Sequence, residues 1–326
     1  MVNFCSYFDK NYLTRFLVLR DSLISTGCKH HFYILLLDDI SFAFFTRKKL
    51  KNVTYCKLDD LERKYAKLKI LKKLRSKIEY YFTLSPYVPI FFQGKFRLKK
   101  LNYLDVDIFF FKNPRFFYKS IKNYSVIIIK QHANPRYGNY NVGWISYNFS
   151  YKDTFKILDD WKNKCTDWCF DRLENNLYAD QKYLDIWPVI SNRVKILEPK
   201  HSMISPWDLD CENYMSGNKY FYSYHFHGLK IYKKFFISGL SRYQRIKNRK
   251  IVNFFYNKYI KLLNDKSSKL NFTSRESIRN SISKKINYFN FINILKKIKF
   301  FSFSIIKLDI FRIIYEEKNN NYLNNK

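Results

Sequence analysis

Short apolar runs ending in acids recur through the first two thirds of this chain, with helically spaced stretches between them, and few folds can use that pattern. "VNFCSYF" (2–8), "HFYILLLDD" (31–39), "NVTYCKLDD" (52–60), "KLNYLDVDIFF" (100–110), "YSVIIIKQ" (124–131) and "YNVGWISYN" (140–148) read as strands. "RVKILEP" (193–199) and "FYSYHFH" (221–227) read as two more. Between them, "NYLTRFLVLRDSLIST" (11–26), "LERKYAKLKILKKLRSKIEYYF" (61–82) and "YKDTFKILDDWKNKCTDWCFDRLENN" (151–176) place apolar residues every three to four positions. A short helix, "ADQKYLDIW", is expected to end at Pro188. This alternation predicts an α/β fold around a mostly parallel central sheet. In such sheets ligands collect beyond the carboxyl ends of the strands. Asp9, Asp38–Asp39, Asp59–Asp60, Asp105, Asp107, His225 and His227 all fall at such ends, so they form one polar rim.

Within that rim, "LNYLDVDIFFFKNP" (101–114) stands out, because two carboxylates one residue apart interrupt an apolar run. Burying charge without a partner is costly. In a strand, Asp105 and Asp107 share a face while Val106 points the other way. Two like charges side by side drive one of them to take up a proton unless a cation neutralises both. A hard divalent ion, Mg²⁺ or Mn²⁺, does this well and keeps coordination positions open for phosphate oxygens. The competing reading is a solvated pair of acids at a strand end.

Composition bounds the rest. The 326 residues are 47% hydrophobic and 20% aromatic, enough for one large core with a smaller appendage, while 7 Gly and 7 Pro argue against a sandwich of many tight turns. The formal charge of +33 fits a polyanionic partner, and it also fits A/T-rich codon usage. It is uneven: from residue 229 onward there are about 23 basic and about five acidic residues. Six scattered cysteines with no CxxC pair point to a reducing compartment, with Cys165 and Cys169 one helical turn apart. The start reads as no signal peptide and no run reaches the length of a membrane span, so a cytoplasmic protein is expected.

"YLDVDIFFFKNP" resembles the metal-binding segment of GT-A glycosyltransferases, nucleotide-sugar transferases with a Rossmann-like domain. "SYFDKNYLTRFLVLRDSLI", "YNVGWISYN", "YADQKYLD" and "YHFHGLK" follow the order of the corresponding segments in family 8 type members. "NVGW", "ADQKYLDIWP", "SPWDL" and "FYSYHFHGLK" together resemble a set of bacterial glycosyltransferases from surface-polysaccharide clusters. The likeness spans about residues 2–230. It implies Asp105, Asp107 and His225 as ligands of Mn²⁺ (or Mg²⁺), with His227 as the alternate third ligand, and imidazole somewhat favouring Mn²⁺. It implies that Ser6, Asp9 and Tyr12 meet the nucleoside, that Asp105 also meets the ribose, that Asn141 and Gly143 line the donor-sugar pocket, and that Lys230 touches the diphosphate. Asp180 and Gln181 would be the catalytic pair facing the sugar. Asp9 is equally readable as a helix N-cap, and Trp144 as core or as an acceptor platform. The chain departs from the family pattern twice. Lys230 lies one position early, and the Arg expected shortly before the Asp-x-Asp strand is absent from "TLSPYVPIFFQGKFRLKK", where Arg97 sits too close to the strand. His132 in "QHANP" is a candidate to compensate.

The resemblance implies a hexosyltransferase-type enzyme moving a sugar from a nucleotide-diphosphate donor, expected to be a UDP-sugar, to a saccharide or lipid-linked saccharide acceptor in surface polysaccharide synthesis, retaining by resemblance, with inversion through Asp180 as base the open alternative. Residues 1–230 form the expected catalytic domain and 231–326 a basic, aromatic-rich helical extension. Its Lys-, Phe-, Tyr- and Ile-rich stretches suit peripheral attachment to an anionic inner membrane face, or a cap with solvated lysines. Two other classes compete. A HAD-like phosphatase also carries Asp-x-Asp, but favours Thr or Val where this chain has Phe109. A basic nucleic-acid-binding protein would suit the charge, but no recognised motif for one is present, so no specific nucleic acid is expected.

Overall fold

The structure, a computed structural model, describes residues 1–208, 221–232, 235–243, 249–270 and 310–312. The chain divides into two compact units, Met1–Asp210 with Gly217–His227, and Cys211–Ser216 with Gly228–Lys326.

The first unit is built on a seven-stranded sheet. Its strands are β1 (Val2–Phe8), β2 (His30–Leu36), β3 (Val53–Lys57), β4 (Lys100–Leu104), β6 (Val126–Lys130), β7 (Tyr140–Asn148) and β8 (Val194–Leu197), in the order β3-β2-β1-β4-β7-β6-β8. Only β7 runs against its neighbours. The mostly parallel α/β architecture is therefore as expected. The chain winds outward from β1 to β3 and returns on the other side as β4. The gap beyond the carboxyl ends of β1 and β4 is thus the topological switch point, where open sheets of this kind bind ligands.

Helices cover both faces. The first six are α1 (Leu13–Ser25), α2 (Asp39–Arg47), α3 (Leu58–Lys64), α4 (Lys67–Leu74), α5 (Lys77–Phe96) and α6 (Arg115–Ser120), followed by α7 (Lys152–Asp167) and α8 (Trp187–Ile190). Alternation along β1 and β2 decides what each face meets. Phe8 and Phe32 turn to Phe16 of α1, with ring centroids 4.9 Å apart for Phe8–Phe16 and 5.1 Å for Phe16–Phe32, and Phe4 packs on Phe32 at 5.4 Å. Cys5 and Leu35 turn the other way, into a core shared with Leu84, Val88 and Phe92 of α5 and Trp161 of α7. Each such buried side chain contributes about 1.5–3 kcal/mol.

The sequence-based elements need several corrections. Asp59 and Asp60 do not end a strand; they occupy the first turn of α3, where their charge suits the helix dipole. The helix expected over 61–82 is three helices. It breaks at Tyr65–Ala66 and again at Arg75–Ser76, where Ser76 and Glu79 form a capping box that starts α5. α5 runs through Pro86 and Pro89, both buried. α7 stops at Asp167, so Cys169 lies beyond the helix rather than one turn along it. Pro188 does not end a helix; it sits in the first turn of α8, where proline is tolerated. Cys5, Cys28, Cys56, Cys165 and Cys169 are free and buried.

The Asp-x-Asp pair also sits differently from expectation. β4 stops at Leu104 and β5 (Ile108–Phe110) starts after Asp107, so 105–107 is a turn and not a continuous strand. The break lets the chain change sheets. β5 pairs with β10 (Ser223–His225), which pairs with β9 (Met203–Ile204), in a separate three-stranded sheet.

In the second unit, β11 (Lys230–Ile231), β12 (Phe235–Ile237) and β13 (Ile310–Arg312) form an antiparallel sheet. The extension is thus not wholly helical. Most of the helix expected near 284–315 lies outside the described residues, and 310–312 is strand. Gly228 and Gly239 both adopt left-handed backbone, and a Cβ on Gly239 would lie 3.1 Å from the Gly228 carbonyl. α9 (Arg249–Lys269) buries Val252, Tyr256, Tyr259, Ile260 and Leu263 on one face, with Tyr256 stacked on Phe236 at 5.6 Å. Among the described residues, no helix is long and apolar enough to cross a membrane.

Candidate active site

Asp105, Asp107 and His225 converge at the switch point, each offering one ligand atom within 4.8 Å of the others. Backbone pairing sets this up. The Asp105 amide donates to the Gly143 carbonyl on β7 at 2.9 Å. His225 pairs with Ile108, and the Phe226 amide donates to the Asp107 carbonyl at 2.9 Å. Val106, between the acids, is buried and anchors the turn. His225 Nε2 then lies 3.1 Å from Asp107 Oδ1 and 3.6 Å from Asp105 Oδ2. Two carboxylates and an imidazole nitrogen within reach of one point form an oxygen–oxygen–nitrogen donor set that could hold a divalent metal ion. The Tyr103 hydroxyl donates to Asp105 Oδ1 at 2.8 Å and orients that carboxylate from behind.

Electrostatics follow from burial and mutual proximity. Burial pushes the Asp107 carboxyl up, but His225, Arg15 and His227 together outweigh it and hold it well below the usual carboxylate range. Asp105 is pushed up by burial and by Asp107, against the pull of His225 and Tyr103. Burial alone would lower the His225 imidazole, yet the facing carboxylates raise it. A further charged contact is Arg15 of α1, with Nη1 3.5 Å from Asp107 Oδ2 and its guanidinium 4.8 Å above the Tyr12 ring.

Gly143, expected to line the donor-sugar pocket, has His225 as its close neighbour. A Cβ at position 143 would sit 2.9 Å from the imidazole atoms Cε1 and Nδ1. Asn141 is buried, accepting from the Gly143 amide at 2.7 Å and donating to Ser205 at 2.8 Å. Its amide therefore shapes the wall behind His225. Ser6 is likewise buried and donates to the Leu104 carbonyl at 2.7 Å, tying β1 to β4 immediately before the acids.

Asp9 serves as the N-cap that the sequence allows. It caps the turn by accepting from the Asn11 amide at 3.0 Å, and its other oxygen accepts from Lys77 at 2.6 Å and Tyr81 at 3.1 Å. Asp180 is buried, and its carboxyl is pushed up to about 7 by burial and by Asp105, against a hydrogen bond from Ser85. That serine stands on α5, the helix on which the resemblance leads one to expect an arginine. Gln181 is directed elsewhere, its side-chain amide donating to the Tyr137 carbonyl at 2.9 Å. Trp144 is core, edge-on to Phe110 and Phe117. His227 stacks edge-on to Trp207 at 5.2 Å, while His225 takes the position between the acids. Lys230 lies in β11 of the second unit.

Besides Tyr103, three contributors escaped the sequence reading. Arg15 was legible in principle, since it follows Tyr12 by three residues and so shares its side of the chain. Ser85 had no motif around it. Asp208, in "SPWDL", accepts from the His132 amide at 2.9 Å and the Ser205 amide at 2.9 Å, and burial pushes its carboxyl up to about 7. His132 is therefore held by Asp208, with Nδ1 3.5 Å from Asp208 Oδ1.

No family model matches the chain. Two uncharacterized proteins of Bacillus subtilis (strain 168) are similar to it in sequence. YfnD is 23% identical over 279 residues, covering 79% of this chain and 87% of its own length. YfnF is 26% identical over 199 residues, covering 56% and 64%. Among solved structures, similar chains include the galactosyltransferase LgtC in complex with donor and acceptor sugar analogs (TM-score 0.41, 15% identity, 62% of this chain and 76% of that one). Mouse xyloside xylosyltransferase 1 gives a TM-score of 0.46 at 12% identity over 69% of this chain and 97% of that one. A glycosyltransferase involved in glycosylation of the major capsid of PBCV-1 gives 0.44 at 14% over 70% and 93%. These structural neighbours are glycosyltransferases. Likeness at this level leaves the function to the site's own residues.

Proposed function

We propose that the protein is a divalent-metal-dependent glycosyltransferase, moving a sugar from a nucleotide-diphosphate donor to a saccharide or lipid-linked saccharide acceptor. The observation that carries this reading is the convergence of Asp105, Asp107 and His225 at the switch point of a mostly parallel sheet. When bound there, a divalent ion supplies neutralising charge to a departing diphosphate. The chain's own residues do the rest. Tyr103 holds Asp105 in its ligand orientation, and Asn141 and Gly143 shape the wall that seats His225. Asp9 offers a buried carboxylate beside the exposed Tyr12 ring, an arrangement suited to a nucleobase and ribose. Asp180, with a carboxyl titrating at about 7, changes between hydrogen-bond donor and acceptor toward a sugar hydroxyl in the neutral range.

The basic segment 231–326 supports a lipid-linked acceptor through its charge, since the apolar face of α9 is already buried. Attachment of this kind would be lost from anionic vesicles as salt is raised.

A panel of nucleotide sugars, assayed for hydrolysis with and without Mn²⁺, tests the reading without the acceptor. Metal-dependent release of a nucleoside diphosphate is expected from one donor class. Asp107→Asn should reduce it to roughly 1% or less while the far-UV circular dichroism is unchanged. Full turnover in that variant would remove the metal assignment.

A further inference from the structure

We propose that Arg15 is the diphosphate clamp of this site; the proposal rests on the nucleotide-sugar reading above. The helix that carries Arg15 is pinned lengthwise. The Phe110 amide of β5 donates to Ser22 Oγ at 3.0 Å, and the Asn113 side chain donates to the Thr26 carbonyl at 3.1 Å. Seven residues before Ser22, two turns back on the same face of α1, Arg15 is thereby aimed at the head of β5, where Asp107 stands.

The two oxygens of Asp107 face different groups. Oδ1 faces His225 Nε2 at 3.1 Å, and Oδ2 faces Arg15 Nη1 at 3.5 Å. An ion held between Asp105, Asp107 and His225 would therefore have a permanent organic cation on the far side of one of its own ligands. At 3.5 Å the Arg15–Asp107 contact is longer than a charge-assisted hydrogen bond of about 2.7–2.9 Å, so it holds the guanidinium nearby without the full strength of such a bond. Tyr12, beneath the guanidinium at 4.8 Å, orients its plane.

Position then specifies the ligand. Asp9 and Tyr12 lie at the nucleoside end of the proposed site, and the carboxylate cluster at the metal end. In a nucleotide-sugar donor the diphosphate joins the nucleoside to the sugar, and Arg15, touching both Tyr12 and Asp107, stands between the two ends. Guanidinium is planar and matches two phosphate oxygens at once, which a lysine ammonium does not. Arg15 also competes with a bare metal ion for Asp107, so metal and diphosphate binding reinforce each other.

The test uses the full-length chain, Arg15→Met and Arg15→Lys, and isothermal titration with Mn²⁺ alone and with UDP, UMP or inorganic pyrophosphate in the presence of Mn²⁺. Arg15→Met should weaken UDP and pyrophosphate by roughly tenfold or more and UMP by much less, from the loss of charged hydrogen bonds to one phosphate. Mn²⁺ alone should bind as before or tighter, and Arg15→Lys should recover part of the loss. Unchanged UDP binding by Arg15→Met with a native melting curve, equal losses for UDP and UMP, or weaker binding of Mn²⁺ alone would each overturn the clamp while leaving the glycosyltransferase reading in place. Wild-type protein that binds neither UDP nor pyrophosphate with Mn²⁺ would overturn both.

Discussion

Replacing Gly143 by alanine sets a methyl group against His225, the proposed third metal ligand. The added carbon would lie 2.9 Å from His225 Cε1 and Nδ1 and 3.0 Å from Asn141 Oδ1. Non-bonded carbons rest at about 3.5–4.0 Å, so the imidazole must yield by roughly 0.6 Å or more. It has little room, being buried and already 3.1 Å from Asp107 Oδ1. Gly143 lies within β7 and is not among the glycines with left-handed backbone, so the alanine brings crowding without backbone strain. Overpacking of this size costs about 1–3 kcal/mol, a fall of about 2–10 °C in melting temperature for a unit of this size. The effect on metal should be larger in proportion, because disturbing the support of a ligand costs roughly 10–100-fold in affinity. Calorimetric titration with Mn²⁺ and a thermal melt, run side by side, separate the two effects. The double variant supplies the control: in a His225→Ala background, Gly143→Ala should bring little further loss of Mn²⁺ affinity. A Gly143→Ala protein that melts lower but binds Mn²⁺ like wild type would refute the placement of His225 as a ligand.

Other outcomes follow from buried charge. Arg75 is buried and donates to the Cys165 and Thr166 carbonyls at 2.7 Å each, closing the C-terminus of α7, and it also donates to Thr83. Arg75→Met strands those acceptors and should lower stability in urea by about 3 kcal/mol or more; a loss under about 1 kcal/mol would mean the helix end is satisfied otherwise. Asp180 titrates at about 7 in the folded chain and near the ordinary carboxylate value when unfolded, so the folded state holds the extra proton. Its stabilising contribution is complete below about pH 4 and is lost as pH rises through 7, by about 2–3 kcal/mol between pH 5 and 8. Asp180→Asn should therefore flatten that part of the stability profile, and a profile parallel to wild type would contradict the burial argument. If ionised Asp180 is the form that serves transfer, donor hydrolysis should rise through pH 7 in the wild type.

Legibility in the sequence varied from element to element for physical reasons. β7 was readable to the residue, because its β-branched and aromatic residues, Val142, Trp144, Ile145 and Tyr147, suit a buried strand bounded by loop residues. α1 was readable because its apolar residues keep helical spacing. The 61–82 stretch was not, since its lysines and leucines continue through two helix breaks; the capping box at Ser76 and Glu79 was the available signal. α5 was hidden by Pro86 and Pro89, whose penalty is offset by burying the helix between β1, β4 and α7.

Chain order and residue type by themselves determined the alternating architecture, the paired acids and the histidine candidates, because periodicity and charge are local properties. The tertiary structure alone decided the rest. That 105–107 is a turn followed from β5 leaving the main sheet to pair with β10. That His225 rather than His227 faces the acids followed from the β5–β10 register. That Arg15 joins them, although 92 positions separate it from Asp107, followed from α1 lying along β5. Contacts between groups so far apart in the chain exist only once packing has chosen which surfaces meet.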